Sequence, residues 1–276
     1  MRLSSPLDKL EFLRLLKLGM EFGWLYQREE SFMEMWMGTA NNNTKTLIEH
    51  LIRNFLYVDS NMADEFCNSI VKQIVEGWKL KAGNTFLSAI CDNSRPDGSQ
   101  VIVQKLKNRF PDEWKEFYFI NSIAEAAYKL NSNDNLILCD DFIGTGNTFN
   151  RKIAWVQEKL GERGVSNVSI YIVAFASMSF SEEHISCPMY TCRKLPKGIS
   201  ERLAGKNRLI AIELMKSLES MLKPKVGKLV LPKFGYKKSE SLFDYEDDNI
   251  PNNVFPIFWW KRDVNNKRRQ TMFNRV

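Results

Sequence analysis

The stretch Asn135-Leu-Ile-Leu-Cys-Asp-Asp-Phe-Ile-Gly-Thr-Gly-Asn-Thr-Phe149 decides how the rest of the chain is read. Its apolar run 136–139 is short and bounded by turn residues, which predicts a fully buried strand. After Ile143 the residues become small and hydroxyl-bearing, so backbone N–H groups and hydroxyls can face an anion. From Phe149 to Arg163 the apolar residues Ile153, Val156 and Leu160 recur at helical spacing. A strand, a phosphate-sized loop and a helix start therefore follow in that order. A helix N-terminus carries unpaired N–H groups and the positive end of the macrodipole, and so holds phosphate well.

Two commoner phosphate loops are excluded. A P-loop needs Lys after its last Gly, and Asn147 stands there. The dinucleotide fingerprint needs a third Gly where this chain has Phe149. The pair Asp140 and Asp141, just upstream, would face a group that wants acceptors beside its phosphate. Ribose 5-phosphate is such a group, with a dianion at one end and vicinal hydroxyls at the other. An Asp-Asp turn before an ordinary Gly-rich loop explains the glycines but not two threonines at this spacing.

On these residues the stretch resembles the phosphoribosyl-pyrophosphate (PRPP) signature of the type I phosphoribosyltransferases. That signature is a hydrophobic strand, Asp/Glu-Asp, two apolar residues and a small Thr-Gly-x-Thr loop. The resemblance implies that Asp140 and Asp141 bind the ribose hydroxyls. It implies that Gly144, Thr145, Gly146, Asn147 and Thr148 cradle the 5-phosphate. It also implies a Mg²⁺ ion carried on the ligand's oxygens, without direct protein ligation. Two departures stand out: Phe142 is bulkier than the usual aliphatic, and Gly144 replaces the commoner Ala, Ser or Thr. A loop after the first sheet strand binds pyrophosphate in that family, which points here to Ser94, Arg95, Gly98 and Ser99. A solvent-exposed Pro-Asp-Gly turn explains the same residues. Segments 178–188 and 194–207 are candidates for a flexible catalytic loop. The second carries Lys194, Lys197, Arg202 and Lys206, with Arg208 just beyond it, and these also read as a solvated basic face.

The chain has 276 residues, 44% of them hydrophobic, with 18 Phe, enough for one large α/β unit with additions. No apolar run is long enough to span a bilayer, so no membrane association is expected. The start Met1-Arg-Leu-Ser-Ser-Pro6 has no apolar signal region, and a cytoplasmic protein is expected. Five cysteines lack metal spacing and are expected reduced. The two histidines, His50 and His184, leave little room for a His-based triad or zinc site.

Residues 1–82 read as a helical N-terminal region, with Leu10, Leu13, Leu16, Leu18, Phe22 and Leu25 at helical intervals. Residues 83–233 read as the phosphoribosyltransferase-like α/β core. Strands are expected at 85–90, 117–120, 136–139, 168–176, 189–195 and 228–231, alternating with helices. That alternation predicts a mostly parallel sheet, with ligands at the strand C-terminal ends.

Residues 234–276 form the third segment. Its ending, Pro251-Asn-Asn-Val-Phe-Pro-Ile-Phe-Trp-Trp260, resembles a divergent phosphoribosyltransferase-like family of bacterial conflict systems, including antiphage operons with reverse transcriptases (retrons). In that resemblance Asn252, Asn253, Trp259 and Trp260 are candidates for a hood over the base. An edge-strand Trp pair with an Asn-Asn turn is the alternative. The final segment has Lys261, Arg262, Lys267, Arg268, Arg269 and Arg275 against one carboxylate, Asp263, and the chain carries net charge +6. It lies beyond the last apolar run and is expected to add little to the core. It either attracts nucleic acid or is a solvated basic end.

Three function classes follow from the sequence. The first is a defence effector that acts on PRPP or a nucleotide by Mg-dependent glycosyl transfer or pyrophosphate release. The second is a non-catalytic nucleotide sensor. The third is a nucleic-acid-associated subunit of a reverse-transcriptase complex. No general base for an incoming nucleophile is evident, so the acceptor stays open.

Overall fold

The computed structural model describes residues 9–39, 41–91, 98–246 and 249–275. Contacts divide the chain into two units that cut across chain order. A sheet unit is built from Val58–Lys197 and Phe243–Pro251, and a helical unit from Met1–Tyr57, Gly198–Leu242 and Asn252–Val276. No helix of the described residues is long and apolar enough to cross a membrane.

The sheet unit carries a five-stranded sheet: β1 (Thr85–Ala89), β2 (Phe119–Ile120), β3 (Asn135–Ile143), β4 (Ser169–Met178) and β5 (Met189–Leu195). Their order is β2-β1-β3-β4-β5, and every pairing is parallel. The expected mostly parallel α/β sheet is therefore present. Helices Ile123–Lys129 and Asn147–Glu162 cover one face, where Ala126, Phe149 and Val156 pack with Leu136 and Leu138. On the other face Phe66, from helix Ser60–Lys72, meets Phe175 of β4 edge-on at 5.6 Å. Successive strand residues point to opposite faces. With both faces covered, Leu136, Ile137, Leu138 and Cys139 are all fully buried. That is why the strand reads as a continuous apolar run rather than an alternating one. Each such aliphatic side chain contributes roughly 1.5–3 kcal/mol on burial.

Residues 243–251 complete this unit from far along the chain. Phe243 stacks on Phe142, and Tyr245 meets Phe175 edge-on at 5.4 Å. The region 1–82 carries one short strand, Leu56–Val58, besides its helices. The strand expected at 228–231 is the second arm of a two-strand antiparallel ribbon, Lys225–Val226 with Leu229–Val230. Gly227 turns it with φ +59°, a conformation that suits glycine.

The helical unit packs helices Lys9–Glu21, Glu29–Met37, Asn42–Arg53 and Gly205–Ser220 with the C-terminal segment. Asn41 caps the third, its side chain accepting the Asn43 N–H at 2.8 Å.

The basic end is not a solvated tail. Arg269 donates to Trp260 O at 2.7 Å and to Ile257 O at 3.0 Å. Burial holds its guanidinium below the usual value. Met272 and Phe273 are buried, and Phe273 stacks on Phe55 at 5.0 Å. Arg28 donates to Met272 O and lies over the Phe273 ring. Two apolar residues after the basic run, too few to read as an apolar segment, thus tie the C-terminus into the core of this unit.

Near the end of helix Gly205–Ser220, Glu219 is fully buried. Its Oε1 accepts the Phe234 N–H at 2.8 Å, while Oε2 has no hydrogen-bond partner. Burial first, and the Glu240 charge second, push its carboxyl up to about 7, against the pull of the Phe234 N–H and Lys233.

Candidate active site at the carboxyl edge of the sheet

The register of β3 creates the site. On one side its pairing with β1 stops at Ala89↔Cys139. On the other it continues along β4 to Ile143↔Ser177. Asp140 and Asp141 therefore stand beyond the end of β1, half-buried. This is the point where the strand order reverses, since β1 runs out to β2 on one side and β3 to β4 on the other. Open parallel sheets bind ligands in that crevice. The Asp141 N–H donates to Asp140 Oδ1 at 3.0 Å, which fixes the first carboxylate against the backbone.

The loop that follows turns sharply. Gly146 has φ +76° and ψ −12°, the left-handed conformation that L side chains adopt at a cost. A Cβ there would also lie 3.0 Å from Ile185 Cγ1 and 3.2 Å from its Cδ1. The turn lets helix Asn147–Glu162 begin at Asn147, two residues before the start that apolar spacing predicted. Asn147 and Thr148 are therefore exposed first-turn residues rather than loop residues. No side chain caps this helix. Its first N–H groups face outward beside the half-buried Gly144 and Thr145.

A short helical turn, Ser179–His184, backs the loop. Asn150 donates its amide to His184 O at 2.6 Å, and Ser181 Oγ donates to Met178 O at 2.7 Å. The segment 178–188, read from sequence as a flexible loop, is thus pinned to the helix start. Lys194 forms an ion pair with Glu182 of the same turn at 2.7 Å, and Lys197 lies over the Phe180 ring at 5.3 Å. Sequence reasoning did not find Asn150, Ser181 or Ile185. Asn150 and Ile185 act through a carbonyl or a packing contact more than thirty residues away and Ser181 through a carbonyl three residues back, and hydrophobic spacing carries no trace of these.

Among the pyrophosphate candidates, Gly98 opens helix Gly98–Lys107 and Ser99 is fully buried in its first turn. Ser94 and Arg95 lie outside the described residues. Arg202, Lys206 and Arg208 belong to the helical unit.

The hood candidates also belong to the helical unit and have work there. Asn253 donates its amide to Ser239 Oγ at 3.1 Å, and its carbonyl accepts the Ser241 N–H at 3.0 Å. Asn252 O accepts the Tyr236 N–H at 2.8 Å. A Cβ on Gly235 would sit 1.9 Å from Asn253 O, so this crossing admits only glycine. Trp259 is buried, with its indole N–H on Val254 O at 2.9 Å and Trp260 packed against it at 5.6 Å. These contacts give the Asn pair and the Trp pair roles within the unit.

Burial, reinforced by the Asp140 charge, raises the Cys139 thiol far above its ordinary value. Cys67 is pushed up to about 11 by burial. All five cysteines are free.

The model of the family described as PRTase-CE matches residues 24–275. The chain belongs to the PRTase-CE family. The match takes in both units, so the helical unit is part of what defines this PRTase-CE protein. Among solved structures it is similar to a hypoxanthine-guanine phosphoribosyltransferase from Leishmania tarentolae in complex with GMP. That similarity is 13% identity, with 51% of this chain and 81% of that chain covered and a TM-score of 0.38. It is also similar to a hypoxanthine phosphoribosyltransferase from Staphylococcus aureus at 14% identity, with 52% and 79% covered and a TM-score of 0.34. No curated protein matches the chain.

Proposed function

We propose that this PRTase-CE protein is a phosphoribosyltransferase that holds PRPP, or a related ribonucleotide, at the end of β3. One observation carries the reading: two carboxylates at a strand end lead through the left-handed Gly146 into an uncapped sixteen-residue helix. In this reading the N–H groups of Gly144, Gly146 and Asn147 and the hydroxyls of Thr145 and Thr148 donate to the 5-phosphate. Asp140 and Asp141 accept from the ribose hydroxyls. Gly98 and Ser99, which open the helix that follows β1 in the chain, would take the pyrophosphate.

In the transfer, the bond from C1 of the ribose to pyrophosphate breaks and a bond from C1 to the acceptor forms. Positive charge grows on the ring and negative charge on the leaving group. No group of three His, Cys, Asp or Glu that could hold a metal ion occurs among the described residues. We read Mg²⁺ as carried on the ligand's own oxygens, with Asp140 and Asp141 beside them. That suits an ion that keeps its waters and prefers substrate phosphates. Bound there, it would offset the charge growing on pyrophosphate. The two carboxylates hold the ribose while that charge develops.

In the cell we read the chain as an effector of bacterial antiphage defence, acting with proteins encoded beside it, a reverse transcriptase among them. The resemblance of the ending Pro251–Trp260 supports this role. A nucleotide sensor would keep the same pocket and bind the ligand without releasing pyrophosphate.

The test is calorimetry with PRPP and Mg²⁺, followed by pyrophosphate detection with a panel of bases and nucleotides as acceptors. Thr145→Val deletes one hydroxyl donor at nearly constant volume. A charge-assisted hydrogen bond is worth roughly 1.5–3 kcal/mol, so affinity should fall about tenfold or more. Unchanged affinity would remove Thr145 from the site. Binding without pyrophosphate release under every acceptor would select the sensor.

A further inference from the structure

Helix Lys9–Glu21 buries only Leu18. Leu10, Phe12, Leu13, Leu16 and Met20 are exposed by 73, 54, 50, 45 and 75%. At 100° per residue they share an arc of about 160° on one side of the helix. Chains that work alone in water rarely leave a contiguous apolar face of this kind uncovered. Tyr26, in the turn that follows, extends it at 62% exposure.

A groove of about 340 Å³ opens on the same face, lined by Phe12, Leu16, Gly19, Leu25, Phe32 and Met33. Gly19 sits inside the helix, where glycine costs about 1 kcal/mol relative to alanine and calls for a packing reason. The Tyr26 ring supplies that reason, since a Cβ at Gly19 would lie 3.6 Å from the Tyr26 hydroxyl oxygen. Phe12 and Leu16 belong both to the projecting arc and to the groove. One surface therefore offers projections and a hollow together, which is what a two-fold contact between identical copies requires.

The charges agree. Lys17 is exposed on the projecting arc, and Glu29 is exposed where it lines the groove. Neither has an ion-pair partner among the described residues. A two-fold arrangement that lays each projecting arc in the other copy's groove would carry the Lys17 of each copy towards the Glu29 of the other.

We propose that this face of the helical unit docks on the same face of a second copy of the chain. Leu13 and Met20 anchor the contact in the facing groove, and Lys17 pairs with Glu29 across the two-fold axis. The inference stands independently of the reaction proposed for the sheet unit.

Sedimentation velocity on the full chain over a range of concentrations tests it. The wild type is expected to dimerise reversibly. The pair Leu13→Glu and Met20→Glu is expected to be monomeric, with the far-ultraviolet circular dichroism and Tm of the wild type. Lys17→Glu and Glu29→Lys should each weaken the dimer about tenfold. The chain carrying both reversals should recover it, because each copy then supplies both swapped charges. A wild type that stays monomeric throughout would overturn the proposal. So would a dimer indifferent to Leu13 and Met20, or single reversals that the double reversal fails to rescue. If the Glu pair does not fold, the charge-reversal series decides alone. Association only with a protein of different sequence would assign the face to that partner and overturn the two-fold contact.

Discussion

Phe142 stacks on Phe243 with ring centroids 4.7 Å apart and an interplanar angle of 17°. This contact explains the departure of the PRPP-type stretch from its usual aliphatic residue. The extra bulk at 142 is matched by a ring arriving from residues 243–245, the last strand of the sheet unit.

Phe142→Ala is expected to cost roughly 3–5 kcal/mol, the range for emptying a buried aromatic site. Phe142→Leu should cost much less. A double-mutant cycle with Phe243→Leu, read from urea unfolding, should return a coupling of about 0.5–1.5 kcal/mol. Strict additivity would mean that the rings merely coincide.

Gly146→Ala should weaken PRPP binding by about tenfold or more, since a left-handed alanine costs roughly 1–2 kcal/mol. The contact with Ile185 adds to that strain. Adding Ile185→Ala removes the contact and leaves the backbone strain. Titration calorimetry should therefore show partial, not full, recovery. Wild-type affinity in the single variant would mean that the loop does not hold the phosphate.

Glu219 predicts a pH dependence with a definite sign. Its folded value, about 7, is raised above the ordinary 4.5. Between those values the folded chain holds a proton that the unfolded chain has released. Its contribution is complete below about 4.5 and is lost as pH rises through about 7. The span corresponds to an upper limit of about 3 kcal/mol. Glu219→Gln keeps an acceptor for the Phe234 N–H and cannot ionise. The stability difference between wild type and variant should shift in the variant's favour from pH 5 to pH 8. Parallel curves of urea midpoint against pH would show that Glu219 does not titrate there.

Removing residues 261–275 should unfold the helical unit rather than trim a tail. Arg269→Ala alone leaves two carbonyls without their donor and should cost about 1–3 kcal/mol. Thermal unfolding measures both. If the shortened chain keeps its Tm, the packing of Phe273 contributes nothing.

The sheet was legible because its strands are buried on both faces. Leu136–Cys139 and the apolar residues of 169–178 cannot belong to any solvated surface, and their spacing fixes the order of elements. The loop at Asp140–Thr148 was legible for a different reason, since small residues and paired carboxylates have few other uses at a strand end. What the sequence hid depends on partners remote along the chain. The basic composition of 261–270 suggested a solvated end, while its anchoring lies in Arg269 donating to carbonyls and in Phe273 meeting Phe55. Asn253 and Trp259 look like recognition residues because amides and indoles can read a base. Ser239 and Val254 already occupy them, and nothing in their spacing says so.

The excursion of residues 243–251 out of the helical unit and back fixes an order of events during synthesis. When the ribosome has made β1 to β5, Phe142 still lacks the ring that covers it. Phe55 waits for Phe273, made more than two hundred residues later. At about 5–20 residues per second that interval is tens of seconds. The N-terminal helices must spend it with their inner faces uncovered. Nascent chains of this protein should therefore bind hydrophobic-surface chaperones until release, and fragments ending before residue 243 should remain with them.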